Sequence, residues 1–279
     1  MLAASMLIGS SMPAQAKDRV YRNGKQICRY NDESIFLYGD SRVGGMMKTN
    51  PDFGGSVVYG GHFRQEYNDK NATFKLPFED GTTKYKYAYY IFGQFKSNNG
   101  KYNGYGTKYK DSYSYIKAQA KSAIKKNGYC HIWLFCTTND ANKNYKNNIN
   151  DVLDFAKKAQ GWNAKYKGKT KYVKVHVVHI VPDKYGKKIS KAYLKGFNGY
   201  VDKQVDKFNK TIKKGYPICK NDYNNIVKDK SIYTIEYRKT HPNADIGYGM
   251  KNGEEDVLHY TKDTYLVIGN WIRVKSKKY

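Results

Sequence analysis

The feature that most constrains this chain is a series of short, almost wholly apolar runs, each closed by a polar turn. Ser34 to Tyr38 reads SIFLY and stops at Gly39-Asp40-Ser41, and Ser56 to Tyr59 reads SVVY and stops at Gly60-Gly61. Tyr129 to Thr137 contains IWLFC, Tyr172 to Val181 reads YVKVHVVHIV before Pro182, and Ile232 to Tyr237 is a further strand-like segment. Runs of this length read as strands buried on both faces, which need helices above and below them. Helical segments lie between and after them. Asp111 to Asn127 has Asp111 or Ser112 as N-cap and Gly128 past its end, and Asn148 to Gln160 is stopped by Gly161. Ser190 to Lys214 opens on Ser190 and ends at Gly215, and Thr261 to Val274 is capped by Thr261. Polar caps at the starts and Gly at the ends are what helix termini need. The alternation predicts an α/β, flavodoxin-like fold, a three-layer sandwich around a central parallel five-stranded sheet. Sites in such sheets form at the carboxyl ends of the strands, where Ser41, Gly60 and Asn139 fall.

One stretch is too long for a minimal domain of this kind. Residues 62–110 are rich in Tyr, Lys, Gly and Asn, and Tyr87 to Phe92 inside it reads as a strand or hairpin. This segment is expected to be an insertion that rims the site. It is either a solvated surface loop or a platform whose Tyr faces stack on sugar rings.

The N-terminus carries a second signal. Residues 1–16 hold a short apolar stretch that ends in Ala14-Gln15-Ala16 before Lys17, which resembles a secretory leader with its cleavage site, although the basic residues that usually precede such a stretch are missing. The expected product is an exported, secreted or surface-associated single domain over 17–279. No later apolar run approaches the roughly 20 residues of a membrane span. Cys130 and Cys136 sit on one apparent strand, about 20 Å apart and too far to bridge each other. A Cys28–Cys219 disulfide is left open, and the spacing of the four cysteines suits no structural zinc site.

Charge bears on partners more than on fold. The formal net charge is +26, and only seven of the 50 basic residues are Arg. Base reading and bidentate phosphate recognition lean on Arg, so a Lys-dominated surface suits diffuse attraction to anionic polymers rather than specific nucleic-acid binding. The runs Lys165 to Lys171 and Lys275 to Lys278 are candidates for attachment to anionic cell-wall polymers. His176 and His179 lie three apart on one strand and so face opposite sides, which makes them poor joint metal ligands. No metal and no organic cofactor is expected, since no Gly-rich phosphate loop follows a strand.

Three separated motifs carry chemistry. Gly39-Asp40-Ser41-Arg42 ends a strand and places a hydroxyl at the sheet edge, where it becomes a nucleophile once a base accepts its proton. Thr138-Asn139-Asp140 follows another strand, and an Asn amide there can donate to a developing oxyanion. Asp256-Val257-Leu258-His259 precedes the last helix, and its spacing of three lets the carboxylate fold back onto the imidazole. Each alone is common; the order and the strand-end positions add weight to the set.

FLYGDSR, TTND and DVLHYTKDTY together resemble the SGNH (GDSL-type) serine hydrolases, over most of residues 33 to 275. They are most similar to the small exported esterases of Gram-positive gut bacteria and clostridia. The resemblance implies Ser41 as nucleophile, His259 as base and Asp256 as the group that orients it. It implies an oxyanion hole from the Ser41 N–H, Asn139 and a Gly after the second strand: Gly61 ahead of Gly60, with Gly104 and Gly106 as alternatives. Candidate substrate contacts are Arg42, Gly60, His62 and Asp140. The family usually has Gly where this chain has Thr137, and often Gly where it has Val257. The function implied is hydrolysis of small acyl esters, acetyl above all, on a small molecule or a wall or dietary polysaccharide. The alternative is a glycan- or polymer-binding protein on a hydrolase scaffold.

Overall fold

The computed structural model describes residues 19–22, 25–29, 34–39, 41–44, 88–90, 112–135, 145–185, 191–228, 234–235, 238–239, 241–251, 254–276 and 279. It is an α/β structure built on a parallel sheet. In chain order the strands of that sheet are β3 (Ile35–Gly39), β4 (Ala88–Tyr90), β5 (His131–Phe135), β8 (Lys174–Val178) and β9 (Cys219–Asn221). Their order across the sheet is β4-β3-β5-β8-β9, and every neighbouring pair is parallel. Three antiparallel hairpins flank it: β1 (Arg19–Arg22) with β2 (Lys25–Arg29), β6 (Asn163–Tyr166) with β7 (Lys169–Tyr172), and β10 (Tyr248–Lys251) with β11 (Glu254–Tyr260). The helices are α1 (Ser41–Gly44), α2 (Ser112–Asn127), α3 (Tyr145–Gln160), α4 (Lys191–Asn209), α5 (Asn224–Val227) and α6 (Lys262–Lys275).

Both sheet faces are covered, as the apolar runs demand. Every residue of β3 and of β5 is buried. Register aligns Leu37 with Trp133 and Tyr38 with Leu134, and side chains alternate faces along a strand. Tyr38 meets Phe155 of α3 at 5.1 Å between ring centroids, while Trp133 meets Trp271 of α6 at 5.3 Å. Helices α3 and α6 therefore lie on opposite faces.

Two strands differ from expectation. Ile232 to Tyr237 is not a sheet strand where it is described: Thr234 and Ile235 are helical, and the edge strand is Cys219–Asn221. An edge strand pairs on one side only, so three residues with little apolar content suffice. The strand hydrogen-bonded to β3 on its outer side is Ala88–Tyr90, inside the stretch read as an insertion. Ser56 to Tyr59 lies outside the described residues. The run read as one strand from Tyr172 also divides. Lys169–Tyr172 folds back on Asn163–Tyr166 across Lys167-Gly168, both at positive φ, and β8 begins at Lys174. Cys219 and Cys130 are free thiols, Cys130 buried, and the Cys28 side chain lies outside what is described. Residues 1–16 and Cys136 lie outside the described residues. Among the described residues no helix is long and apolar enough to cross a membrane.

Candidate active site

The site begins with a glycine. A Cβ on Gly39 would stand 2.7 Å from both the Phe135 Cβ and a Val43 methyl, so only Gly lets β3 end against β5 and turn into α1. Ser41 is the first residue of α1, at the carboxyl edge of the sheet.

Arg42 comes next and is 3% exposed. Its guanidinium donates from Nε to the Leu258 carbonyl at 3.1 Å and from Nη1 to the Val181 carbonyl at 2.7 Å. Longer contacts reach the Pro182 carbonyl at 3.4 Å and the Tyr223 hydroxyl at 3.5 Å, and the group lies 4.9 Å from the centroid of the Tyr260 ring. Planar, multiply donating and buried, it joins α1, the segment after β8, and β11. Sequence reasoning set Arg42 down as a substrate contact or an ion-pair partner; nothing in the local pattern points to this clamp.

β11 carries the third motif, Asp256 to His259. Asp256 Oδ2 lies 2.6 Å from His259 Nδ1, while Asp256 Oδ1 accepts the backbone N–H groups of Leu258 at 2.9 Å and His259 at 3.1 Å. The carboxylate is thus held on both oxygens, which fixes the ring's orientation. Burial opposes its charge, but the bonds from His259 and from the Leu258 and His259 amides win and hold the acid well below the usual carboxylate range. The two side chains are 12% and 19% exposed, enclosed yet reachable.

The surroundings of β11 are rigid. Lys184 N–H donates to the Val257 carbonyl at 3.0 Å, and Tyr248 Oη donates to the Pro182 carbonyl. Thr261 caps α6 by accepting the Thr264 N–H at 3.3 Å, so the helix starts three residues after His259. Burial pushes the Tyr248 phenol up to about 12 and the Tyr260 phenol well above its ordinary value, so both stay neutral beside Arg42.

α1, which opens on Ser41 and carries Arg42, therefore packs on β11, which carries Asp256 and His259, the two elements coming from opposite ends of the chain. Gly60, Gly61, His62, Gly104, Gly106, Thr137, Asn139 and Asp140 lie outside the described residues. Among the described residues no group of three or more His, Cys, Asp or Glu side chains could hold a metal ion.

No family model and no curated protein matches this chain. Among solved structures, a carbohydrate acetylesterase, Est24 of Sinorhizobium meliloti, is similar with a TM-score of 0.39 and 14% identity, over 86% of this chain and 96% of that one.

Proposed function

We propose that this chain is an SGNH-type serine esterase with a flavodoxin-like three-layer fold, acting on small acyl esters, acetyl above all. The observation that carries this reading is the Asp256–His259 pair, 2.6 Å apart on a strand that Arg42 ties directly to the helix beginning at Ser41. A carboxylate, an imidazole it orients, and a hydroxyl at a strand end are what acyl transfer needs.

In this reading Ser41 Oγ attacks the ester carbonyl carbon as His259 Nε2 takes its proton. The tetrahedral oxyanion is held by the Ser41 N–H, the Asn139 amide and a glycine N–H. His259 then protonates the leaving alcohol. Water, deprotonated by the same imidazole, attacks the acyl-enzyme, and the acid leaves as Ser41 is restored. Asp256 stays ionised throughout and stabilises the imidazolium. Because the strand beside β3 is Ala88–Tyr90, the glycine donor is better sought after Tyr90, where Gly93 is the first, than at Gly61. An acylated glycan is the substrate class that fits an exported protein.

The test is hydrolysis of p-nitrophenyl acetate by the full chain beside Ser41→Ala. Hydrolysis lost in the variant, with the melting temperature kept, is the expected result. Equal rates in the two proteins sink the assignment.

A further inference from the structure

We propose that the amino edge of the sheet is a docking surface for a linear phosphate polymer that carries no bases. This goes beyond the esterase reading and does not depend on it.

The argument starts from topology. In a parallel sheet with helical crossovers, the helices that lead back to each strand end at the amino edge, opposite the site. Here those ends are lysine-rich: Lys125 and Lys126 close α2, Lys157 and Lys158 close α3, and Lys275 closes α6. The β6–β7 hairpin, which leads into the start of β8, adds Lys165, Lys167 and Lys169, all exposed. Residues 112–135 and 161–182 contain nine lysines and no Asp or Glu. Two described acids stand near these helix ends, Asp154 paired with Lys158 at 2.9 Å and Asp206 paired with Lys220 at 2.8 Å, but neither belongs to the hairpin. Asp183 and Asp222 follow the carboxyl ends of β8 and β9, and Asp256 is in the site. Among the described residues the hairpin is therefore a positive patch at the end of the sheet away from Ser41 and His259.

Helix dipoles account for part of this pattern, since cations favour helix C-termini. They do not account for the hairpin, whose lysines belong to no helix. Positive charge concentrated there, in a stretch of sequence that holds no Asp or Glu, raises the local concentration of an anionic chain.

The chemistry of the face selects among polyanions. Lysine is a strongly hydrated point charge that suits phosphates, not the planar fork that reads bases. Single-stranded nucleic acids also rely on aromatic platforms for stacking. The rings of this face are engaged by the fold itself. Tyr166 lies against Gly128, where a Cβ would come within 2.7 Å of its ring. The Tyr279 hydroxyl is bonded to the Cys130 N–H and to the carbonyls of Cys130 and Tyr172, and its ring packs on Tyr216 at 4.5 Å. Charge is on offer and stacking is not. A polymer bound there leaves the opposite end, with Ser41 and His259, facing outward.

The experiment compares two triple variants of the full chain, each losing three positive charges. One is Lys165→Gln, Lys167→Gln, Lys169→Gln on the hairpin; the other is Lys195→Gln, Lys203→Gln, Lys228→Gln on α4 and after α5. All six lysines are exposed, and thermal melts verify that both variants fold. Binding of long-chain inorganic polyphosphate is measured across salt concentrations. The hairpin triple is expected to bind at least tenfold more weakly, with a salt slope shallower by about 2, from the slope of roughly 0.7–0.9 per phosphate contact known for nucleic acids. The control triple is expected to lose less than threefold. Equal losses in the two triples, no binding by the unmodified chain, or tighter binding of single-stranded DNA than of polyphosphate per phosphate would each overturn the proposal.

Discussion

Arg42 donates a 3.1 Å hydrogen bond to the carbonyl of Leu258, across 216 residues of sequence. Each is the immediate neighbour of a residue proposed for catalysis, Ser41 on one side and His259 on the other. The bond therefore links the backbone positions of nucleophile and base without involving either side chain. Arg42 is in this sense a positioning residue.

Replacing it separates geometry from stability. Arg42→Met leaves the buried carbonyls of Val181 and Leu258 without their donor, and two charge-assisted bonds of this kind are worth roughly 3–5 kcal/mol. Arg42→Lys keeps the charge but not the fork, so it is expected to fold and to hold fewer of the carbonyls. Its kcat toward p-nitrophenyl acetate should fall at least tenfold while KM stays within about twofold, because misplacement of reacting groups by a fraction of an ångström acts on the chemical step. A rise in KM alone would instead mark Arg42 as a substrate contact.

Gly39→Ala tests the turn into α1. The new methyl meets Phe135 and Val43 at 2.7 Å, and overpacking of a full core costs about 1–3 kcal/mol. A lower urea midpoint, with kcat reduced as α1 is displaced, is the expected result. Unchanged stability would mean that β3 and β5 separate more easily than their burial implies.

Parts of this architecture were legible in the sequence and parts were not, for physical reasons. SIFLY and IWLFC had to be central strands, because runs without polar positions are stable only between two covered faces. Asp256 and His259 are in contact because three residues of separation suffice for a carboxylate to turn back on a ring; what they catalyse is a separate matter. Cys219–Asn221 was invisible because an edge strand carries no apolar signature, and Thr234 and Ile235 within SIYTIEY are helical because alternation in a short run is a weak strand signal. Lys165 to Lys171 carries no apolar strand signature, since a hairpin is set by its turn, here Lys167-Gly168, rather than by hydrophobicity. The Arg42 clamp depends on carbonyls from two distant segments, at Val181-Pro182 and Leu258, and no local pattern encodes it.

The held carboxylate gives a pH-dependent prediction. Asp256 is bound on both oxygens and its folded-state acidity is strengthened, so it contributes stability that is present above the unfolded value near pH 4 and is lost as pH falls toward the lower folded value. Asp256→Asn lacks that contribution. The urea midpoint of the parent should exceed that of the variant at pH 6, and the gap should narrow by pH 3. The variant should also lose on the order of 10⁴-fold in kcat, since an amide holds the imidazole in the wrong tautomer. A gap that persists unchanged to pH 3 would mean that packing, not charge, explains the difference.

A second buried pair sets a different acid limit, away from the site. His131 Nδ1 lies 2.8 Å from His176 Nε2, between β5 and β8, and the His176 ring is stacked on Trp133 at 3.9 Å. Asn221 Nδ2 faces His176 Nδ1 at 3.4 Å as a donor, so Nε2 carries the proton and donates to His131. Burial, then the neighbouring His131, Lys174 and Lys275, push the His176 imidazole well below its ordinary value. The folded state keeps it neutral while the unfolded chain takes up a proton below about pH 6.5, so stability falls as pH drops through that value. The double variant His131→Leu, His176→Phe removes both polar rings and keeps a flat ring on Trp133, which avoids an orphaned partner. Urea midpoints between pH 7.5 and 5 should decline in the parent and decline less in the double variant. Equal declines would assign the acid sensitivity to groups other than this pair.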